Sequence, residues 1–114
     1  MKGYVIGKTR RMALGLSQKE LGEMAGVSAA TISKYENGEE ISKPYEQQIR
    51  RAIDDQFNAL NKEEWMYVSL KAQVFQLNEE TTSGDKLLTI AYMQKNLSNI
   101  QIDLVKSIMR EANR

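Results

Sequence analysis

Residues 27–35 combine a few apolar anchors with small and polar side chains on their remaining faces. Val27, Ile32 and Tyr35 are the anchors, and Lys34 is the first bulky charge. The other positions hold only serine, alanine and threonine: Ser28, Ala29, Ala30, Thr31 and Ser33. A helix with so slim an outer face fits the major groove of duplex DNA, which presents donors, acceptors and thymine methyl groups. The pattern therefore favours a helix that recognises the edges of DNA bases by direct contact.

The composition argues against catalysis. The chain has no cysteine and no histidine, which removes thiolate nucleophiles, disulfides, and the most common general base and metal ligand. Glu39-Glu40 and Glu79-Glu80 are pairs of carboxylates that are adjacent in the chain, and the simplest interpretation of such pairs is a solvated loop. We predict that the protein is not an enzyme and that it has no metal site and no cofactor.

Three aromatic residues of the second half, Trp65, Tyr67 and Phe75, could stack on single-stranded bases. Lys71 is the only cation between positions 63 and 85, so no basic groove is expected around them. The favoured interpretation is therefore packing in a core or in a dimer interface.

Basic residues are concentrated in the first third of the 114-residue chain, although its formal net charge is only +1. Residues 1–34 contain six Lys or Arg and two Glu, whereas residues 61–114 contain seven side chains of each sign. An anionic partner would therefore meet the first third. Because the chain shows neither a signal-peptide stretch nor a membrane-length apolar run, we expect a cytoplasmic protein without membrane contact.

Capping signals divide the first part of the chain into short helices. The first helix is predicted to end at Gly15. Ser17 and Glu20 have the spacing of a capping box and open the second, which Gly26 ends after about two turns. Ser28 is a natural N-cap for the third.

The remaining sequence also indicates helices. Pro44 suits the first turn of a long fourth helix. Residues 63–78 show apolar spacing of both helix and strand, and we favour helix because a lone strand would have no partner. Residues 81–85 are predicted to form a turn, residues 86–95 a helix, and Ser98 is expected to cap the last one.

The segment from Leu16 to Gly38 resembles the helix-turn-helix of the Cro and lambda-repressor family, also called the Xre family. Three motifs carry the similarity: Ser-Gln at the start of the second helix, Gly-Val-Ser at the turn, and Ile-Ser-Lys-Tyr-Glu-Asn-Gly at the end of the third. The similarity covers residues 5–54 well. It implies a lambda-repressor-like domain and sequence-specific binding of double-stranded DNA. With the helical spacing of the later residues, the expected fold is all-α, with a C-terminal helical tail after that domain.

The resemblance also assigns roles to single positions. Gln18 matches a residue that touches the DNA backbone and braces the recognition helix, and Asn37 matches a phosphate contact. Arg11 and Glu36 match a pair that forms an internal salt bridge in many family members. The resemblance and the slim outer face together predict DNA contacts from the third helix at Ser28, Ala29, Ala30, Thr31, Ser33 and Lys34.

Two positions of the first helix depart from the family pattern. A large apolar residue usually lies four positions before the arginine, where this chain has Gly7, and the position just before the arginine is also usually apolar, where this chain has Arg10. We predict that Arg10 and Lys8 contact DNA phosphates. Ala29 and Ala30 replace larger residues of several family members, so we expect these positions to meet thymine methyl groups or to read DNA shape.

We divide the chain into a DNA-binding domain, residues 1–61, and a helical region, residues 62–114, whose apolar content exceeds what it can bury alone. That region either folds back on the first or forms a homodimer. We favour the dimer, because the family usually binds two half-sites one helical turn apart. The expected function is repression of a phage, plasmid or chromosomal promoter at an inverted-repeat operator. Two alternatives are an antitoxin that autoregulates its promoter and a protein-interaction module that has lost DNA binding; the basic excess argues against the second.

Overall fold

The computed structural model describes residues 3–80 and 82–112. Their regular structure is entirely helical, which confirms the all-α prediction. The seven helices of this described part are α1 (Gly3–Ala13), α2 (Gln18–Ala25), α3 (Ala29–Glu36), α4 (Lys43–Asn58), α5 (Lys62–Glu79), α6 (Ser83–Asn96) and α7 (Asn99–Ala112).

The capping signals of the first three helices are confirmed. Ser17 Oγ accepts a hydrogen bond from the backbone N–H of Glu20 at 3.0 Å, and the Glu20 carboxylate accepts one from the Ser17 N–H at 3.1 Å. Hydrogen bonding from Ser17, first from its backbone N–H and then from its side chain, lowers the pKa of the Glu20 carboxyl. Gly26 ends α2 at φ 74°, a left-handed conformation that favours glycine, and Ser28 caps α3. The lengths of α2 and α3 are therefore fixed by local chemistry.

A first hydrophobic core joins α2, α3 and α4. Pro44 lies in the first turn of α4, as predicted, and Ile49, Ile53 and Phe57 recur on one buried face of that helix. The core consists of the buried residues Leu21, Ala25, Ile32, Tyr35, Ile49, Ala52, Ile53 and Phe57.

Helix α5 is covered on two faces, which explains its ambiguous period. Val68 packs against the first core, and Ala72, four residues later on the same face, is buried. Met66, Leu70 and Val74 are also four apart and belong to a second core. Residues two positions apart are separated by about 200° around a helix, so alternate residues point to opposite faces. Two helical stripes offset by two residues therefore imitate a strand, and the choice of helix is confirmed.

The second core joins α5, α6 and α7. Its buried residues are Leu70, Val74, Met93, Val105 and Ile108. Ser98 forms the predicted cap before α7: its Oγ accepts from the Gln101 N–H at 3.3 Å, and the Gln101 side chain accepts from the Ser98 N–H at 2.9 Å. The tail thus contributes a core of its own.

The prediction of a turn over residues 81–85 is wrong for Ser83–Asp85, which form the first turn of α6. Thr82 Oγ1 accepts from the Asp85 N–H at 3.0 Å. A threonine N-cap followed by an acid in the first turn is a helix start, although threonine, serine and glycine together resemble a turn. Thr81 lies outside the described residues.

Among the helices described, α1 and α5 share the most extensive contact. The first part of the tail therefore folds back on the N-terminal region. In the described part of the chain, no helix is long and apolar enough to cross a membrane, and no cluster of three carboxylates is placed to hold a metal ion.

Candidate nucleic-acid interface

The turn between α2 and α3 depends on a close backbone approach. The Val27 N–H donates to the Gly22 carbonyl at 3.0 Å. A Cβ on Gly22 would lie 2.7 Å from the Val27 carbonyl oxygen, a distance that no side chain tolerates. Gly22 therefore lets the turn before α3 and the start of α3 lie directly against α2.

Helix α3 has one buried face and one exposed face. Ile32 is fully buried and Tyr35 is 6% exposed, so these two residues anchor the helix in the first core. Ala29, Ala30 and Lys34 are exposed. Lys34 makes no ion pair with any described residue. The outer face is therefore slim, basic and free to enter a groove.

Two hydroxyl groups at the start of α3 are hydrogen-bonded to each other. Ser28 Oγ accepts from the Thr31 N–H at 3.1 Å and lies 2.9 Å from Thr31 Oγ1, with either hydroxyl as the donor. One of the two hydroxyl protons is used in that bond. Only one hydroxyl donor of the pair therefore remains for another acceptor while the bond persists.

The end of α3 is fixed to α1 and α2 by a buried ion pair. Arg11 Nε and Nη2 donate to the two oxygens of Glu36 at 2.6 and 2.9 Å, and the side chains are 12% and 3% exposed. Arg11 Nη1 also donates to the Leu16 carbonyl at 2.7 Å, and Gln18 Nε2 donates to Glu36 Oε1 at 3.1 Å. The carboxylate and guanidinium are thus paired and further hydrogen-bonded, which is the condition for burying charge.

In a comparison with protein-family models, residues 8–45 match the helix-turn-helix family. The match spans the end of α1, all of α2 and α3, and the start of α4. Residues 8–45 are a helix-turn-helix of the Cro and lambda-repressor type. Comparison with curated protein sequences and with solved structures gave no match.

The family assignment identifies α2 and α3 as the two helices of the motif, with α3 as the recognition helix. A helix-turn-helix of this family is the domain of a DNA-binding transcriptional regulator. Of the predicted residues, the recognition helix carries Ala29, Ala30, Thr31, Ser33 and Lys34, and Ser28 is its N-cap.

Gln18 and Asn37 flank the recognition helix. The brace expected of Gln18 is present as its hydrogen bond to Glu36, and its contact with the DNA backbone stays a prediction. Asn37 is exposed just after α3, where its backbone N–H bonds to the Ser33 carbonyl. Its side chain is free of the helix-turn-helix core, as a phosphate contact would require.

Lys8 and Arg10 lie on α1 and are engaged within the protein. Lys8 Nζ is 3.2 Å from Glu79 Oε1 on α5, and Arg10 Nη1 is 3.3 Å from Asp54 Oδ1 on α4. The Arg10 guanidinium also lies over the Phe57 ring, 4.8 Å from its centroid. A cation stacked on a core ring explains how arginine occupies a usually apolar position. Their phosphate contacts stay a prediction.

Lys19 is a candidate that motif reasoning passed over. It follows Gln18 in the first turn of α2, is exposed, and has no ion pair among the described residues. The available signal was its position next to a predicted phosphate contact, since helix N-termini attract anions.

Proposed function

We propose that this chain is a sequence-specific repressor that binds an inverted-repeat operator as a homodimer. The observation that carries the proposal is the geometry of α3, whose inner face is buried at Ile32 and Tyr35 while Ala29, Ala30 and Lys34 are exposed. The buried pair of Arg11 with Glu36 holds that helix in place. The protein acts in the cytoplasm, where its DNA is, and performs no catalysis.

Base readout follows from the few groups that the recognition helix presents. The hydroxyl groups of Ser28 and Thr31 use one of their two hydrogens in the bond between them, so the pair offers a single hydroxyl donor to DNA. Lys34 is the only long side chain of the exposed face, and a lysine can donate to guanine O6 and N7. Ala29 and Ala30 can contact thymine methyl groups. We infer a half-site in which one guanine lies beside thymines.

The short length of the recognition helix supports a dimer. A single short recognition helix reads few base pairs, and two half-sites one helical turn apart double the information. Binding of the second half-site also gains from effective concentration. In the proposed function, such a dimer represses by occupying the promoter.

The experiment is selection of bound sites by the full chain from a random duplex pool. The expected result is an inverted repeat with half-site centres about 10 base pairs apart, each with guanine and thymine at fixed positions. Lys34→Ala provides the matched control, because it removes the proposed guanine contact from the exposed face. Enrichment of no sequence would contradict the proposal.

A second candidate, an antitoxin that represses its own promoter, is favoured by the exposed apolar residues of α6. Leu87 and Leu88 are 66% and 71% exposed, as expected of a surface that covers another protein. The distinguishing result is a stoichiometric complex with a small protein whose expression alone arrests growth. A chain that purifies alone and represses its operator supports the first candidate instead.

A further inference from the structure

Helix α6 carries apolar side chains on the face that points away from the protein. Leu87, Leu88 and Tyr92 are 66%, 71% and 56% exposed, and Ala91 lies exposed between them. These four residues, here called the α6 stripe, follow helical spacing. Thr89 and Met93 on the other side are buried. The largest aliphatic side chains of α6 are therefore exposed to solvent, whereas an amphipathic helix usually buries them.

A contiguous apolar stripe of this kind marks an interaction site, whereas scattered exposed leucines need no explanation. Ala91 is the smallest residue of the stripe, and Gly84 lies two turns before it on the same face. Small residues permit a second helix to approach closely, because the distance between helix axes depends on the side chains at the contact. The shape of the stripe thus suits another helix.

Two of the three charges of α6 lie on the side of the stripe and identify which helix; the third, Lys86, lies about 160° around the helix from Leu88. Asp85 is at its start and Lys95 near its end; both are exposed, and neither makes an ion pair with a described residue. Two copies of α6 that run antiparallel place each Asp85 beside the Lys95 of the other copy. A parallel pair would place like charges together.

One register satisfies both the charges and the apolar residues. Position 90 is midway between Asp85 and Lys95 and also midway between Leu88 and Tyr92. A twofold axis at the level of position 90, on the side of Leu88 and Tyr92, therefore brings Leu88 against the second copy's Tyr92 while the opposite charges meet. Such reciprocal contact is the defining property of a twofold interface.

We propose that the α6 stripe is the homodimer interface and that two α6 helices pair antiparallel about position 90. The proposal rests on the homodimer of the proposed function and specifies its surface. In this dimer the leucines and Tyr92 leave solvent, and two Asp85–Lys95 pairs fix the orientation.

Sedimentation equilibrium of the full chain without DNA tests the surface. The wild type should be a dimer, and Leu88→Glu should raise its dissociation constant at least about a hundredfold, because two leucines leave the interface and two carboxylates enter it. Tyr45→Glu is the matched control, since Tyr45 is 47% exposed on α4 outside the stripe. Circular dichroism checks that all three chains are equally helical. Equal dissociation constants for Leu88→Glu and the wild type would overturn the proposal.

A charge-reversal cycle tests the orientation. Asp85→Lys and Lys95→Asp should each weaken the dimer about three- to tenfold, because each places like charges together twice. The double variant should restore the wild-type constant to within about twofold. If the dissociation constant of the double variant rises by the product of the two single increases, the antiparallel register is excluded.

The assay also separates this proposal from the DNA-binding function. A monomeric wild type that still selects one half-site would overturn the α6 interface and leave DNA binding intact, with the stripe available to a different protein. A stable dimer that selects no sequence would support the interface and contradict the repressor.

Discussion

Gly7 of α1 and Tyr35 of α3 are in direct contact: a Cβ at position 7 would lie 2.9 Å from Cε1 of the tyrosine ring. The Tyr35 hydroxyl also donates to the Gly3 carbonyl at 3.3 Å. The ring of the recognition helix therefore occupies the space in which family members usually place an apolar side chain of the first helix. The departure from the family pattern at Gly7 is therefore compensated by the Tyr35 ring, which fills the space beside the glycine.

Gly7→Leu should destabilise the fold by about 1–3 kcal/mol, because the new side chain must displace the Tyr35 ring from a packed core. Urea unfolding of the full chain measures the change. Tyr35→Leu in the same background should recover part of the loss, since it removes the atoms that clash. Strict additivity of the two substitutions would show that the contact does not limit packing.

Arg11→Ala should lower the free energy of unfolding by about 3–5 kcal/mol, because it leaves the Glu36 carboxylate buried without its partner. Arg11→Lys should recover little, since an ammonium cannot form the two parallel bonds. Arg51→Ala is the control: Arg51 is exposed and makes no ion pair with a described residue. Its effect should stay within about 0.5 kcal/mol. Normal melting of Arg11→Ala with loss of DNA affinity would assign the arginine to DNA instead.

Lys34→Ala should relax the preference at one base position by about 1–3 kcal/mol, the range for a good base contact. Ala29→Gln should change the preferred base at another position without unfolding the protein, because Ala29 is exposed. Binding to a panel of operators with single base changes measures both. If Lys34→Ala lowers the affinity for every operator in parallel, Lys34 holds a phosphate, and specificity rests on methyl contacts and DNA shape.

Arg10→Ala and Lys8→Ala should each reduce the slope of log affinity against log salt by about one per monomer, the effect of losing one phosphate contact. Asp54→Asn should raise the affinity for all sequences, because it frees Arg10 from its carboxylate partner. Lys86→Ala, an exposed cation of α6, is the control. Unchanged slopes in Arg10→Ala and Lys8→Ala would limit both residues to their internal ion pairs.

The helix starts of the N-terminal domain could be predicted because they depend on neighbours in sequence. Ser17 and Glu20 or Ser28 and Thr31 are three residues apart, so their bonds are visible as a motif. The pair of Lys8 with Glu79 spans most of the chain and forms only because α5 lies on α1. In the sequence alone, Lys8 therefore has no visible partner.

The resemblance supplied the pairing of Arg11 with Glu36, which no local signal indicates. It could not supply the contact of Gly7 with Tyr35, because that position departs from the family pattern. In the tail, outside the family match, only capping and spacing were available. Thr82 was misread there because its hydroxyl caps a helix that begins inside a run of turn-forming residues.

The contact of α1 with α5 bears on how the chain folds as it is synthesised. Helix α1 leaves the ribosome before α5, the helix that covers it, which ends at Glu79. At roughly 5–20 residues per second, several seconds separate the appearance of the two. The core of the helix-turn-helix is complete in sequence once Phe57 has been added, and until α5 follows, the face of α1 that α5 covers is exposed.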